Sequence, residues 1–359
     1  MQAEQLISAH RGAPENPANR FEKIHLEPDA NWNPDEDADG GRPQGPRTQF
    51  LVDHSQTAIA YNDSPDIGFN TSLNPYRGCE HGCIYCYARP THEFLGFSAG
   101  LDFESKIMVK LNAPELLRAE LASPKWQPQT IVMSGVTDCY QPVERKLKLT
   151  RRCLEVLAEF RNPVAIITKN FLVTRDLDLL AELAKYNAVS VCLSVTTLDT
   201  DLRRVMEPRT SPPIARLAAI RKLSEAGIPV SVNVAPIIPG LTDHEILKIL
   251  KAAREAGAVS AGFTVVRLPY AVAPLFEKWL ETHFPDRKEK VLNRIKAMRG
   301  GKLYDAQWGK RFSGEGIFAE QIAAMFDVAR RKAGFCDDYP ALSTAAFRRP
   351  AGTQLSLFS

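Results

Sequence analysis

From about residue 68 onward, short runs of β-branched and other apolar residues alternate with segments whose apolar positions recur at helical spacing. Short apolar runs are typical of buried strands, and the longer periodic segments are typical of amphipathic helices. Regular alternation of the two predicts a parallel sheet with right-handed crossovers. The predicted strands are Phe69–Leu73, Thr130–Met133, Val164–Thr168, Val189–Val195, Pro229–Ala235 and Val259–Val266, and the predicted helices are Pro114–Ala122, Thr150–Phe160, Thr174–Tyr186, Pro213–Ala226 and Asp243–Ala256.

This pattern divides the chain into four parts. Little apolar periodicity precedes residue 68, where Ala13–Arg20 is rich in Pro and Asn and Asp35–Asp39 is acidic. Such a composition predicts an irregular, partly disordered leader or a strap lying across a folded body. The four parts are a leader at 1–67, the strand–helix units at 68–268, a helical extension at 269–336 and a flexible tail at 337–359.

Composition narrows the class of protein without identifying it. The chain has 359 residues, of which 44% are hydrophobic and 24% charged, as in ordinary soluble globular proteins. It has no run of about 18 apolar residues, and its first residues lack the blocks of a signal peptide. Seven cysteines without a disulfide-like framework favour a reducing cytoplasm. A net charge of +3 is too small to indicate nucleic acid by itself.

Three of the cysteines fall in one short segment, Cys79-Glu-His-Gly-Cys83-Ile-Tyr-Cys86. Three thiolates at this spacing can bind three irons of a cubic [4Fe–4S] cluster and leave the fourth iron without a protein ligand. Such an iron is a chemical site, because a small molecule must complete its coordination.

The residues of this segment allow two other interpretations. A buried stripe of cysteines on a helix would repeat at this spacing, but Gly78 and Gly82 lower the helix propensity and Pro90 closes the segment. A structural zinc site would need a fourth Cys or His. His81 and His92 are available, although neither gives a usual paired zinc spacing. The cluster is the favoured interpretation, and zinc is the alternative.

The cysteine segment resembles the signature of radical SAM enzymes. Over about residues 68–268 the resemblance implies an α/β fold, a partial (β/α)6 barrel, with a [4Fe–4S] cluster and S-adenosylmethionine (SAM) as cofactors. It also implies that an electron from the cluster cleaves SAM to a 5′-deoxyadenosyl radical. On this resemblance the cluster ligands are Cys79, Cys83 and Cys86, and the SAM-binding residues are Tyr85, Ser134, Thr137, Lys169, Ser194 and Ile237.

Individual roles follow from the same resemblance, because active-site groups of a parallel barrel sit at the C-terminal ends of its strands. Lys169 would pair with the SAM carboxylate, Tyr85 would lie near the adenine, and Ile237 would supply an apolar adenine contact. The strand-end Ser and Thr residues would otherwise be caps of the following helices.

Two longer stretches resemble spore photoproduct lyase and its bacterial relatives: Asn74-Pro-Tyr-Arg-Gly-Cys79 continuing to Pro90, and Thr137-Asp-Cys-Tyr-Gln-Pro-Val-Glu144. Those lyases reverse a thymine dimer and quench the product radical with a cysteine. The aligned position here is Gly135, so Cys139 is the candidate hydrogen donor, with Tyr87 and Tyr140 as candidate radical relays. The resemblance implies the family branch and leaves the substrate open.

Two segments bear on partners. Residues 277–311 carry ten Lys and Arg against five Asp and Glu, interleaved with Trp279, Tyr304 and Trp308, which suits either a nucleic-acid groove or a solvated helical face. The C-terminal residues Gln354, Leu355, Leu357 and Phe358 resemble the QLxLF peptide that docks on the bacterial β sliding clamp. An apolar terminus packing on its own domain is the alternative.

The sequence therefore predicts a cytoplasmic radical SAM enzyme acting on DNA in a lyase- or repair-like reaction. It would need a reductant such as flavodoxin or ferredoxin. The alternatives are a radical SAM enzyme acting on RNA, protein or a metabolite, and a non-catalytic iron–sulfur or zinc adaptor docked on the clamp.

Overall fold

The fold is built from ten short strands and the helices between them, as described by a computed structural model covering residues 11–21, 47–336 and 341–350. The strands are β1 (Gln49–Val52), β2 (Ile59–Tyr61), β3 (Thr71–Leu73), β4 (Tyr76–Arg77), β5 (Lys106–Val109), β6 (Ile131–Met133), β7 (Val164–Thr168), β8 (Val189–Ser194), β9 (Val230–Ile237) and β10 (Ser260–Val265). The α-helices are Leu101–Ser105, Ala113–Ala122, Glu144–Leu147, Leu149–Phe160, Leu177–Ala184, Thr200–Met206, Pro213–Glu225, Ile246–Glu255, Val272–His283, Pro285–Ala297 and Ile317–Lys332, and 3-10 helices cover Arg89–Leu95, Phe171–Asp176 and Asp243–Glu245.

A seven-stranded sheet in the order β10-β9-β8-β7-β6-β3-β2 forms the barrel wall. All neighbouring pairs from β3 to β10 are parallel, and β2 adds to β3 as an antiparallel edge. Since consecutive parallel strands are joined by helices, this is the partial (β/α)6 barrel that the alternating pattern predicts, and the fold-class prediction is confirmed.

The predicted elements lie close to their observed positions, because their apolar residues are the ones the fold buries. Val164, Ile166, Val191 and Val232 are fully buried in the main core between sheet and helices. The predicted helix Thr174–Tyr186 differs, since its first turn belongs to a 3-10 helix that begins after Asn170. The Asn170 side chain caps that turn by accepting a hydrogen bond from the Leu172 amide at 3.0 Å.

The described parts of the leader are ordered and lie against the folded body, as in the strap alternative. It contributes β1 and β2, and β1 pairs in parallel with β5, which also pairs with β4 in a three-stranded sheet. Residues 11–21 form a segment, here called the N-terminal strap, that lies against the loop carrying the three cysteines. In the strap, the amides of Gly12 and Ala13 donate to the buried carboxylate of Glu104 at 2.9 and 2.8 Å.

In the helical extension, the three aromatic residues predicted to line a nucleic-acid groove do not lie together. Trp279 is only 2% exposed, stacks on Phe276 and donates to the Val205 carbonyl at 3.0 Å, so its ring is core. Tyr304 is half-buried and packs against Tyr270, and Trp308 is exposed. Flat rings therefore do not line the basic segment as a set.

Part of the predicted flexible tail also lies against the barrel. This segment, residues 341–350, is here called the C-terminal strap. The Arg348 amide donates to the Phe160 carbonyl at 2.9 Å, and the Asn187 side chain donates to the Ala341 carbonyl at 3.0 Å. Arg349 donates to the Trp126 carbonyl at 2.8 Å. Phe160, Asn187 and Trp126 precede strands, so the strap crosses the amino-terminal end of the barrel. Gln354, Leu355, Leu357 and Phe358 lie outside the described residues.

None of the helices in the described part of the chain is long and apolar enough to cross a bilayer.

Candidate active site

A cavity of about 490 Å³ opens at the carboxyl ends of the barrel strands. All three cysteines of the segment line it, as do residues that end β6, β7, β8 and β9. Of the predicted SAM-binding and relay residues, the structure brings Tyr85, Tyr87, Ser134, Thr137, Lys169 and Ser194 to this cavity.

The loop that carries the cysteines is held by buried charge. Arg89, which is fully buried, donates to the Cys83 carbonyl at 3.0 Å and to the Gly100 carbonyl at 2.9 Å, and it forms an ion pair with Glu104. Gly82 adopts φ +67°, and a Cβ there would lie 2.6 Å from Glu104 Oε2. Glycine is required at this point both for the backbone conformation and for the close approach.

The donor set fits a cubic cluster. Cys79, Cys83 and Cys86 are free thiols, and they face one cavity. In the described part of the chain, no three His, Cys, Asp or Glu side chains are grouped to hold a single metal ion. A cluster does not need such convergence, since each thiolate binds a different iron. Burial raises the pKa of all three thiols, so loading iron onto them must release protons.

A largely buried carboxylate, that of Asp138, organises the floor of the cavity. Asp138 accepts hydrogen bonds from the Thr168 hydroxyl and the Lys169 amide, both at 2.8 Å, and its Oδ2 lies 3.3 Å from His81 Nδ1. Burial would raise the pKa of Asp138, but His81 and the hydrogen bonds from the Lys169 and Tyr140 amides together lower it below its ordinary value. Asp138 therefore links the cysteine loop to the ends of β6 and β7.

Lys169 is a cation that lines this cavity. Its Nζ lies 5.9 Å from the centre of the Tyr85 ring, and within the described ranges it makes no ion pair. An unpaired ammonium facing a cavity is suited to bind a carboxylate. The adjacent polar groups that face the cavity are the Ser194 side chain and Asn233.

Tyr85 is fixed by a buried ion pair behind the cavity. Its hydroxyl donates to Glu207, which also accepts from Thr196 at 2.7 Å and pairs with Arg216. Burial would raise the pKa of Glu207, but the charges of Arg216 and Lys169 and the hydrogen bonds lower it to about 2. Glu207 is thus ionised, and it holds the Tyr85 ring against the cavity wall.

The hydroxyl groups of Ser134 and Thr137 each make a hydrogen bond within the protein. Ser134 has φ +71°, a left-handed conformation that is uncommon outside glycine, and its Oγ accepts from the Cys139 amide at 2.8 Å. Thr137 donates its hydroxyl to the Tyr76 carbonyl at 2.6 Å. Ser134 retains donor capacity toward the cavity, whereas the Thr137 hydroxyl can only accept there.

Two aromatic rings and an arginine form the mouth of the cavity. Tyr87 is 42% exposed and donates its hydroxyl to the Gly135 carbonyl at 2.8 Å. The Arg267 guanidinium lies 4.3 Å from the centre of the Tyr87 ring and 4.9 Å from that of Phe312. Tyr87 therefore occupies the space above Gly135, where the lyase resemblance places a cysteine.

Three predicted site residues do not reach the cavity. Cys139 is fully buried in the main core, and Tyr140 is fully buried with its hydroxyl donating to Asp176 at 3.1 Å. The turn that starts at Ser134 directs both side chains away from the strand ends, which removes the basis for Cys139 as hydrogen donor and Tyr140 as relay. Ile237 is also core, and Ala235 and Pro236 provide the apolar wall in its place.

A family model described as the radical SAM superfamily matches residues 73–253. The chain belongs to the radical SAM superfamily. Its cofactor prediction is confirmed at the level of this family, which uses a [4Fe–4S] cluster and SAM. Cavity-lining residues that the sequence reasoning did not assign to the SAM site are His81, Asp138, Asn233 and Arg267. The Thr137-Asp138 pair was a visible signal for Asp138, whereas Arg267 follows an apolar strand without any motif.

Several curated proteins are similar to this radical SAM chain. An uncharacterized protein of Mycobacterium tuberculosis is 39% identical over 220 residues, which are 61% of this chain and 65% of the relative. An uncharacterized protein of Methanocaldococcus jannaschii is 30% identical over 222 residues, 62% of this chain and 79% of the relative. The match thus spans less than two thirds of the mycobacterial protein.

Solved structures share the fold. Spore photoproduct lyase complexed with dinucleoside spore photoproduct has a TM-score of 0.57 at 17% identity, with 79% of each chain covered. A double mutant of the same lyase with bound AdoMet and dinucleoside spore photoproduct has a TM-score of 0.54, also at 17% identity and 79% coverage of each chain. At this identity the likeness establishes the radical SAM barrel fold.

Proposed function

We propose that this protein reductively cleaves SAM at a [4Fe–4S] cluster and uses the resulting radical on DNA in a lyase- or repair-like reaction. The observation that carries the proposal is a single cavity at the strand ends that contains three free thiols and an unpaired lysine. When bound, the cluster and SAM supply a 5′-deoxyadenosyl radical. A reducing cytoplasm and a small reductant such as flavodoxin or ferredoxin suit that chemistry.

The residues of the chain bind and orient the cofactors. Cys79, Cys83 and Cys86 would hold three irons, and Lys169 would bind the SAM carboxylate. The Tyr85 ring, which Glu207 positions, would lie beside the adenine. These roles need preorganised groups, which the buried ion pairs behind the cavity provide.

The substrate end of the cavity is its mouth. Tyr87 and Phe312 present aromatic faces there, and Arg267 lies between them. Such a set can stack on a flat base, which supports a nucleic-acid substrate. The solved lyase structures with a bound dinucleoside photoproduct support DNA in particular. Because Gly135 carries no thiol, Tyr87 is the proposed radical relay instead of a cysteine.

Cofactor content and SAM cleavage test the first part of the proposal. Anaerobically reconstituted protein should hold about four irons per chain and convert SAM to 5′-deoxyadenosine after reduction with dithionite. Alanine at Cys79, Cys83 or Cys86 should abolish both, while Cys153→Ala and Cys336→Ala serve as matched controls that retain them. Stoichiometric zinc without iron, or iron without 5′-deoxyadenosine, would favour the adaptor alternative.

The substrate class is tested by asking which added substrate stimulates the cleavage of SAM. Formation of 5′-deoxyadenosine should rise when ultraviolet-irradiated DNA is added and should be accompanied by a changed nucleoside in the digested DNA. Stimulation by RNA, by a protein or by a metabolite pool, with none by DNA, would replace DNA by that class.

The C-terminal residues support a second proposed partner, the bacterial β sliding clamp. Gln354 would set the register of the peptide, and Leu355, Leu357 and Phe358 would be its apolar anchors. Recruitment to the clamp would bring the enzyme to replicating DNA.

A further inference from the structure

A second cavity, of about 480 Å³, lies outside the catalytic one and is lined largely by basic side chains. It is here called the basic groove, and its residues are Gly240, Asp243, His244, Arg287, Lys290, Arg294 and Met325. Neither the radical SAM assignment nor the proposed reaction gives this groove a role.

One helix supplies the charge of the basic groove. Arg287, Lys290 and Arg294 are spaced three and four residues apart on the helix Pro285–Ala297, so they share one face of it. The acidic residues of the same helix, Asp286 and Glu289, do not line the groove. This helix carries acidic and basic residues, and the side that faces the groove presents basic ones.

Most of this charge is not neutralised within the protein. Arg294 pairs with Asp243 at 3.1 Å, and its stem packs on Gly240, where a Cβ would lie 3.4 Å from Arg294 Cδ. In the described ranges, neither Arg287 nor Lys290 makes an ion pair, and Asp243 is the only carboxylate lining the groove. A groove with two uncompensated cations beside a fixed arginine is complementary to an anion with several charges.

The basic groove opens close to the catalytic cavity. Gly240 follows β9, whose residues Ala235 and Pro236 line that cavity, so both openings lie at the carboxyl end of the barrel. Gly240 lies four positions after Pro236 in the chain, so the Cα atoms of these two lining residues are at most about 14 Å apart. A chain-like ligand can extend over this distance from one opening to the other.

We propose that the basic groove binds the phosphodiester backbone of the nucleic-acid strand whose reacting nucleotide enters the catalytic cavity. This inference rests on the proposed function and adds a phosphate-binding site to it. Arg287 and Lys290 contact phosphates, and the Asp243–Arg294 pair forms one wall. An acidic protein is a poorer match, because a stable protein interface needs an apolar centre and Met325 is the main apolar side chain of the groove.

The test measures binding of a fluorescein-labelled, undamaged single-stranded DNA of random sequence by anisotropy across a salt series. The double variant Arg287→Ala/Lys290→Ala should bind at least about tenfold more weakly at low salt. Its slope of log affinity against log salt should be shallower by about 1.4, as expected for the loss of two phosphate contacts. The matched control Lys248→Ala/Lys251→Ala removes the same charge from exposed positions outside the groove and should change affinity less than about threefold.

Three outcomes would overturn the inference: no binding of DNA by the wild type, equal losses in both double variants, or equal competition by poly-glutamate and by unlabelled DNA. Cleavage of SAM without substrate separates this failure from failure of the proposed function. The groove variant should form 5′-deoxyadenosine at the wild-type uncoupled rate, because its substitutions touch no residue of the catalytic cavity. A protein that binds DNA through the groove but never cleaves SAM would refute the function and retain the site.

Discussion

At the scale of single residues, the side chains of the site are held in place by hydrogen bonds to buried partners. Asp138 is fixed by Thr168 and the Lys169 amide, and Tyr85 by Glu207. The cysteine spacing predicts the cluster ligands, because it is a local pattern. Cys139 shows the limit of such reasoning, since the left-handed turn at Ser134 decides where its side chain points and no residue type announces that turn.

Replacing Lys169 by alanine should weaken SAM binding by about 10- to 150-fold, because a charge-assisted contact with a carboxylate contributes on the order of 1.5–3 kcal/mol. Equilibrium dialysis with reconstituted protein measures the affinity. Lys222→Ala is the control, as this exposed lysine stacks on Phe171 outside the cavity. Unchanged affinity in Lys169→Ala would remove the carboxylate role from this residue.

The stability of the protein should fall with acidification because of His92. This side chain is fully buried beside the cysteine loop, and its Nε2 lies 2.8 Å from the Lys106 carbonyl. Burial lowers the pKa of His92 to about 4 from an ordinary 6.5. Since the folded state binds the proton less tightly than the unfolded state, the stabilisation is complete above pH 6.5 and is lost as pH falls toward 4.

Between pH 7.5 and 5.0 the expected loss from His92 is about 2 kcal/mol in the free energy of unfolding. Anaerobic urea denaturation at the two pH values measures it. His92→Gln keeps a donor for the Lys106 carbonyl but does not titrate, so its pH dependence should be shallower by this amount. Parallel pH profiles for the two proteins would show that His92 does not contribute.

At the scale of elements, the sequence predicts the barrel well because each strand–helix unit carries its own period of apolar residues. It misses β1, β2, β4 and β5, which have two to four residues each and are stabilised by pairing with other segments of the chain. For the leader, the sequence leaves open partial disorder or a strap lying across the folded body, and composition alone does not decide between them. The Pro- and Asn-rich composition of the N-terminal strap resembles that of a disordered segment, yet its backbone amides satisfy the buried Glu104 carboxylate.

Replacing Gly12 by alanine should loosen the cysteine loop, because a Cβ at this position would overlap the carbonyl oxygen of Gly82. The strap must then separate from the loop and leave Glu104 with fewer donors. The expected result is a lower iron content after desalting and faster loss of the cluster to a chelator. Gly68→Ala is the matched control, because a Cβ there meets no atom within 4 Å. Equal iron retention in both variants would show that the strap does not support the loop.

At the scale of the whole molecule, the two ends of the barrel carry different features. The catalytic cavity and the basic groove open at the carboxyl end of the strands, whereas the C-terminal strap is anchored at the amino-terminal end through Phe160 and Trp126. A partner bound beyond residue 350 would therefore leave the cavity free. Sequence patterns cannot reveal this arrangement, since the strap contacts residues far away in the chain.

Clamp binding should be lost when the chain is truncated after Pro350, while SAM cleavage remains at the wild-type rate. Leu357→Ala with Phe358→Ala should have the same effect, since each apolar anchor contributes on the order of 1.5–3 kcal/mol. A peptide covering residues 352–359 should bind the clamp with only micromolar affinity, because it loses conformational freedom on docking. Ser356→Ala is the control in a pull-down assay. Undiminished capture by the truncated chain would exclude the peptide as the docking element.

The N-terminal strap has a consequence for the lifetime of the enzyme in air. It covers the outer side of the cysteine loop, where Cys79 and Cys83 are 6% and 8% exposed. With this side covered, we expect oxygen to reach a bound cluster through the cavity, past Tyr87 and Arg267 at its mouth. Cofactor and substrate bound in the cavity would then slow oxidation of the cluster, so the occupied enzyme should survive exposure to air longer than the empty one.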